Sequence, residues 1–170
     1  KKNDIEIMIR GLNDYNPKSH MWSILWIISH PNDVKISEIA SYNYVFAASI
    51  IYVRRMNEIL SSKIHVLNQC TDLDLFYPLK NKKRKYQLLF VGNTRKIFRK
   101  VIKDLLPTKY NLVVFGWGWQ SFLNKDLIGG TYIPNKKLNE YYNKTKILLN
   151  DHWEDMKENG FISNRIYDGV

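Results

Sequence analysis

Between residues 147 and 168 the chain reads ILLNDHWEDMKENGFISNRIYD, and this stretch concentrates the side chains best suited to chemistry. Ile147, Leu148 and Leu149 read as a buried strand. Asn150, Asp151, His152 and Trp153 then place polar acceptors, a titratable imidazole and a flat apolar ring at its carboxyl end. In open α/β sheets that edge is where ligands bind. A helix is expected to open near Ser163 and Asn164, and its first backbone N–H groups, lacking intrahelical partners, suit a phosphate. Arg165 in the first turn carries the wrong charge for the helix dipole, which makes sense if it meets an anion there.

Two further loops have the same character. Val91, Gly92, Asn93, Thr94 and Arg95 read as a strand, a tight glycine turn and a helix start. There the backbone can approach a diphosphate, while Arg95 and, one turn on, Arg99 offer positive charge. Gly116, Trp117, Gly118 and Trp119 follow the next strand. Their glycines allow close approach and an indole offers a stacking face for a base or sugar; Trp119 is expected in the core. No Walker A motif and no complete G-x-G-x-x-G fingerprint occurs, which argues against nucleoside triphosphate hydrolysis and dinucleotide redox chemistry.

These loops need elements to hold them. Apolar runs at 5–9, 24–28, 44–48 and 64–67 predict strands, and 50–60 predicts a helix with Arg54, Arg55 and Glu58 toward water. Alternating strands and helices imply a parallel sheet. Residues 78–85 cannot bury themselves and read as a linker. After it the pattern restarts: a strand at 86–91, a helix over 95–106 capped by Thr94 and stopped before Pro107, strands at 112–115 and 128–133, a helix through 138–142 with Asn135 as N-cap, and a strand at 146–149. The division expected is a first lobe over 1–79, a basic linker over 80–85 and a second lobe over 86–170.

Composition sets the broad class. A chain of 170 residues with 45% hydrophobic content forms one domain or two small halves. The net charge is +10, and residues 80–110 hold eleven Lys and Arg against one acid, Asp104, so the excess lies in that segment. Such a patch suits nucleic acid, an anionic membrane surface or a phosphorylated ligand, or is simply a solvated face. No apolar run is long enough to span a bilayer and no secretory signal is evident, so a cytoplasmic protein is expected, peripheral at most to the inner membrane face. Cys70, the one cysteine, has no internal partner and reads as a small apolar residue.

The motifs NDHW (150–153), DM (155–156) and GFISNR (160–165), followed by Tyr167 and Asp168, occur with RGL (10–12), WIISHP (26–31), Ala48-Ser49, QCTD (69–72), LFVGN (89–93) and GWGW (116–119). In this order, over nearly the whole chain, they resemble GT-B-fold glycosyltransferases of the spore-maturation-like branch. The resemblance implies an α/β fold of two Rossmann-like lobes with parallel sheets, both incomplete here, in a central piece of a longer enzyme. It implies transfer of a sugar from a nucleotide-activated donor, held by the second lobe as co-substrate, to a surface glycan, glycolipid or protein acceptor on the first. No bound cofactor or metal is implied.

In that family pattern Gly92, Asn93, Arg95, Arg99, Ser163, Asn164 and Arg165 surround the diphosphate, and Gly116, Trp117, Tyr132 and Ile133 lie toward the nucleobase. Asp168 stands where many retaining members hydrogen-bond the donor ribose, but its partner acid falls at Gly160, so that pair is incomplete. His30 and His152 are the candidate catalytic groups. Asp72 and Asp74 form a D-x-D pair, the metal motif of the other large glycosyltransferase fold, and are expected to be structural here. The rival reading is a non-catalytic module using residues 80–110 on nucleic acid or anionic lipid, or a degenerate lobe without activity. Tyr86, Phe90 and Phe98 are expected in the core, not interleaved with the lysines on an exposed face, which counts against nucleic acid.

Overall fold

A computed structural model describes residues 4–61, 63–80 and 83–169. In chain order its elements are β1 (Ile5–Arg10), β2 (Trp22–Ile27), α1 (Ile36–Ala40), β3 (Tyr44–Ala47), α2 (Ile50–Leu60), β4 (Ile64–Val66), β5 (Tyr86–Val91), α3 (Lys100–Lys103), β6 (Leu112–Phe115), β7 (Ile128–Gly130), α4 (Asn135–Asn143), β8 (Thr145–Leu149), α5 (Glu154–Glu158) and α6 (Asn164–Asp168). They form two compact units. One contains the residues up to Cys70 together with His152–Ser163; the other contains Thr71–Asp151 and residues 164–169. The fold is α/β, with a four-stranded parallel sheet of Rossmann-like character in each unit.

In the first unit the strands follow sequence order, β1-β2-β3-β4. The Ser49 hydroxyl accepts the Tyr52 N–H at 3.2 Å and so caps α2, whose Tyr52, Val53 and Met56 form one buried stripe. Arg54, Arg55 and Glu58 lie outside, as their spacing predicts. The core comprises Leu25, Ile27, Val45, Ala47 and Ile64 on one sheet face, with Ile39, Tyr52 and Val53 from the helices. The opposite face is open: Ile5, Ile7 and Ile9 of β1 are 54–65% exposed, and Trp22 of β2 and Tyr44 of β3 are exposed beside them. Registers align them with Trp22, Ile24 and Trp26, and the helices of this unit pack on the other side.

Residues 152–163 pack with this first unit, although sequence division placed them in the second. Met156 and Phe161 enter its core, and Phe161 meets Tyr52 edge-on at 5.4 Å. Asn159, 2% exposed, donates to Asn32 Oδ1 at 3.1 Å and accepts from Arg55 at 3.2 Å, while its carbonyl receives the Ser49 hydroxyl. Gly160 has φ +70°, a left-handed conformation that favours glycine, and a Cβ there would also crowd the Ile51 side chain.

In the second unit the order is β7-β6-β5-β8. Central β5 reads YQLLFV because it is covered on both faces. Leu88, Phe90, Leu112 and Val114 pack with Ile102 and Trp119; Leu89 and Phe115 pack on the other side with Phe76, Ile133 and Tyr142. The strands come close to their predicted bounds, with β7 shortened to three residues. Asn135 is the first residue of α4 and Pro134 precedes it, so Asn135 is not the cap. The helix expected over 95–106 is absent. Arg95 and Lys96 both have positive φ, and Thr94 Oγ1 accepts the Lys96 N–H, which closes a turn; only Lys100–Lys103 is helical.

The segment expected to be a linker is anchored at its start. The Tyr77 and Leu79 N–H groups donate to Asn139 and Asn143 of α4, and the boundary between units falls at Cys70 and Thr71 instead. Asn81 and Lys82 of the basic stretch lie outside the described residues. Cys70 is exposed, not packed as an apolar residue. Among the described residues no helix is long and apolar enough to cross a membrane.

Candidate functional site

The second sheet reverses direction once. The chain runs outward from β5 through β6 to β7 and then returns to β8 on the other side of β5. A crevice opens at such a switch point, outside the carboxyl ends of the two diverging strands. The residues that follow these ends are Gly92 and Asn93 after β5, and Asn150 and Asp151 after β8.

Two arginines converge on this crevice. Arg165 Nη1 donates to Asn150 Oδ1 at 3.1 Å, and its charge lies near enough to the Tyr142 phenol to favour the phenolate. Its other end reaches over Gly92, where a built Cβ would sit 3.8 Å from Nη2. Its Nε is buried and has no hydrogen-bond partner. A buried guanidinium N–H left unpaired is costly, while the guanidinium as a whole carries the positive charge that an anion at this crevice would meet. Arg165 was expected in the first turn of a helix; α6 has five residues, so the dipole argument carries little weight and the side-chain geometry replaces it.

Arg99 is engaged differently. It is buried, and its guanidinium forms a bidentate ion pair with the Asp151 carboxylate, with the Nε to Oδ2 bond at 3.1 Å. Nη1 also donates to the Asn93 carbonyl at 3.4 Å. Arg99 thus ties the β5 loop to the β8 loop, and its charge is matched by Asp151. Sequence spacing could not anticipate a pair separated by 52 positions.

Gly116 is where the two neighbouring loops touch. It has φ +141°, and a Cβ there would lie 2.2 Å from the Gly92 carbonyl oxygen. The close approach inferred from this glycine is therefore made by the adjoining loop, not reserved for a ligand. Asn93 Oδ1 accepts the Trp117 N–H at 2.8 Å, and the Trp119 indole, fully buried as expected, donates to the Gly92 carbonyl at 2.8 Å. The Trp117 ring is 64% exposed and the Tyr132 ring 70% exposed. Ile133 is buried in the core, so its side chain is not at the surface of this edge. Arg95 is exposed beside the crevice in a left-handed turn.

Asn164 opens α6 and is exposed; Asp168 closes it. Asp168 accepts the Thr71 hydroxyl at 2.9 Å. Burial pushes its carboxyl above the ordinary value, against the opposing pull of the Thr71 bond and Arg165. Burial likewise raises the Tyr142 phenol, partly offset by Arg165. Asp168 and Tyr142 also line a cavity of about 230 Å³ with Tyr77, Arg84, Asn139 and Asn143. That volume is below the roughly 300–1,000 Å³ of a drug-sized ligand site. Of the residues expected to meet the donor, only Asp168 borders it.

Ser163, His152 and His30 belong to the first unit. The Ser163 N–H, expected to be unpaired, donates to His152 Nε2 at 2.8 Å. That bond requires an unprotonated Nε2, so the neutral ring carries its proton on Nδ1. His30 follows β2 in a left-handed conformation, φ 52°, with Nδ1 3.0 Å from Ser29 Oγ. Nearby, the buried Arg10 pairs with Glu38 at 2.7 Å and donates to the carbonyls of Gly11 and Asp33, fixing the loops after β1 and β2. Asp72 Oδ1 accepts the Asp74 N–H at 2.9 Å, which makes the D-x-D pair the start of a local turn.

Comparison with protein-family models, with characterised proteins and with solved structures returns no match.

Proposed function

We propose that the protein is a glycosyltransferase of the GT-B type, or a part of one, that transfers a sugar from a nucleoside diphosphate donor to a glycan, lipid or protein acceptor. The observation that carries this reading is the guanidinium of Arg165 above Gly92 at the switch point of the second sheet. A nucleoside diphosphate supplies an anion of the kind such a guanidinium meets. Its phosphate oxygens accept from Arg165, and its negative charge draws on Arg95 and Lys96 in the adjacent exposed turn. The exposed rings of Trp117 and Tyr132 at the neighbouring strand ends are suited to stacking on a base or sugar.

In this reading the bond between the anomeric carbon and the diphosphate oxygen breaks, an acceptor hydroxyl supplies the new oxygen, and its proton passes to the departing diphosphate. Side-chain cations neutralise the departing diphosphate as its charge develops, which is the interaction that lowers the barrier. Arg99 holds the β5 and β8 loops in register for Arg165 and does not itself face the leaving group. The first unit contributes the acceptor side, with His30 and the Nδ1 proton of His152 as the titratable groups proposed for it.

Calorimetric titration of the full chain with a panel of nucleoside diphosphates tests the proposal. Binding of at least one of them, weakened tenfold or more by Arg165→Ala, is the expected result. No binding at millimolar ligand, or binding indifferent to Arg165, overturns it.

A further inference from the structure

The charge excess of the sequence has a definite location in the fold. Residues 83–85 lead into β5, Lys109 comes just before β6, and Lys146 is the second residue of β8. These strands are parallel and in register, Tyr86 with Thr145 and Leu88 with Leu112, so the preceding segments share the amino edge of one sheet. Backbone bonds hold them together. Lys85 N–H donates to the Lys144 carbonyl at 2.7 Å, Leu88 N–H to the Asn111 carbonyl at 3.0 Å, and Leu79 N–H to Asn143 Oδ1 at 2.7 Å, which brings Lys80 to the same place. Lys80, Lys83, Arg84, Lys85, Lys109 and Lys146 are all exposed. The acids nearest this group along the chain have other partners: Asp104 pairs with Lys100, Asp151 with Arg99, and Glu140 with Lys144. Among the described residues none of the six cations forms an ion pair with an acid.

We propose that this amino edge is a docking face for an anionic lipid surface. Clusters of four to eight Lys and Arg have the size that holds a protein at such a surface. The shape agrees. The lysines project from three adjacent strand ends, with neighbouring strands about 4.8 Å apart, and form a broad shallow array instead of a helix or a groove that could follow a nucleic acid backbone. Tyr110, half exposed beside Lys109, has the amphipathic ring that sits at the headgroup level. A stacking platform for bases would need several such rings among the cations, and Tyr86 is buried. The edge lies at the opposite ends of the strands from Gly92 and Arg165, roughly 20 Å away for six-residue strands. Docking thus leaves the crevice free, and this inference stands whether or not the crevice binds a nucleotide sugar.

The test is co-sedimentation of the full chain with vesicles of phosphatidylcholine alone and of phosphatidylcholine mixed with phosphatidylglycerol. Partitioning onto the anionic vesicles, declining as salt rises, is expected, with none onto the neutral ones. Each basic residue near an anionic surface contributes about fivefold, so Lys83→Gln, Lys85→Gln, Lys109→Gln and Lys146→Gln together should lower partitioning by more than about a hundredfold. Arg84 is left intact because it donates to the Asn143 and Thr145 carbonyls. A control with Lys18→Gln, Lys125→Gln, Lys136→Gln and Lys137→Gln carries the same net charge and should retain most of the binding. If the quadruple variant loses the wild-type near-ultraviolet circular dichroism, the pair Lys83→Gln and Lys109→Gln, expected to cost about 25-fold, gives the same reading. Equal loss in variant and control, no partitioning at low salt, or displacement from vesicles by short RNA or DNA at physiological salt would each overturn the proposal.

Discussion

Substituting Asp151→Asn isolates the role of the ion pair between the two switch-point loops. The side chains of Arg99 and Asp151 retain only 10% and 12% of their exposure, so the pair is largely out of water. Asparagine keeps the shape and one acceptor oxygen but leaves the Arg99 charge buried without its counter-ion. Removing one partner of a buried pair costs about 3–5 kcal/mol, and the slight residual exposure places the expectation at about 3 kcal/mol. Arg99→Met removes the cation as well, and in the double variant nothing remains uncompensated. A double-mutant cycle should therefore show a coupling of about 1–3 kcal/mol. The two units need not unfold together, so urea titration is best read by hydrogen exchange in β5 and β8 peptides, with β2 peptides as the internal reference. A loss below about 0.5 kcal/mol in β5 and β8, with coupling near zero, would refute the structural assignment and return Arg99 to the ligand.

Gly116→Ala combines a positive-φ penalty with a backbone clash against the Gly92 carbonyl, and should destabilise the second unit by about 2–5 kcal/mol; protection of β5 and β6 amides to within 1 kcal/mol of wild type would contradict this. Asn159→Ala leaves the Asn32 carbonyl oxygen and the Arg55 guanidinium without their partner, and should cost about 1–3 kcal/mol and open residues 152–163 to limited proteolysis, whereas an unchanged cleavage pattern would show that the segment is held by Met156 and Phe161 alone. Because burial raises the folded-state pKa of Asp168, the folded protein binds the proton more tightly than the unfolded chain, so this group's contribution to stability is present at low pH and drains away as pH rises through and above the ordinary carboxyl range. Asp168→Asn should flatten that decline and leave the second unit at least as stable at neutral pH, measured as melting temperature across pH; a loss of stability at neutral pH would mark the charge of Asp168 as a net stabiliser through Arg165.

Patterns confined to neighbouring positions were legible in the sequence. The apolar runs of β5, β6 and β8 and the stripe of α2 could be placed because a side chain's burial follows the period of its own element. The carboxyl-end loops that hold Gly92, Gly116 and Asn150 followed from those placements, as did the burial of Trp119. Tertiary structure decided which groups meet. Arg95 and Lys96 look helical in sequence, yet the loop they occupy turns left-handed, with Thr94 closing it and packing under the neighbouring strand's loop. Arg99 looked available to a phosphate until Asp151, far along the chain, matched its charge, while Arg165 kept a buried N–H unpaired. Residues 152–163 carried the motif that suggested a donor lobe, but Asn159 and Phe161 find their partners on Ser49, Arg55 and Tyr52 of the first unit. Hydrophobic periodicity is a property of a few adjacent residues, whereas the pairing of a buried charge depends on which loops the sheet order brings together, and that order is set only when the whole core closes.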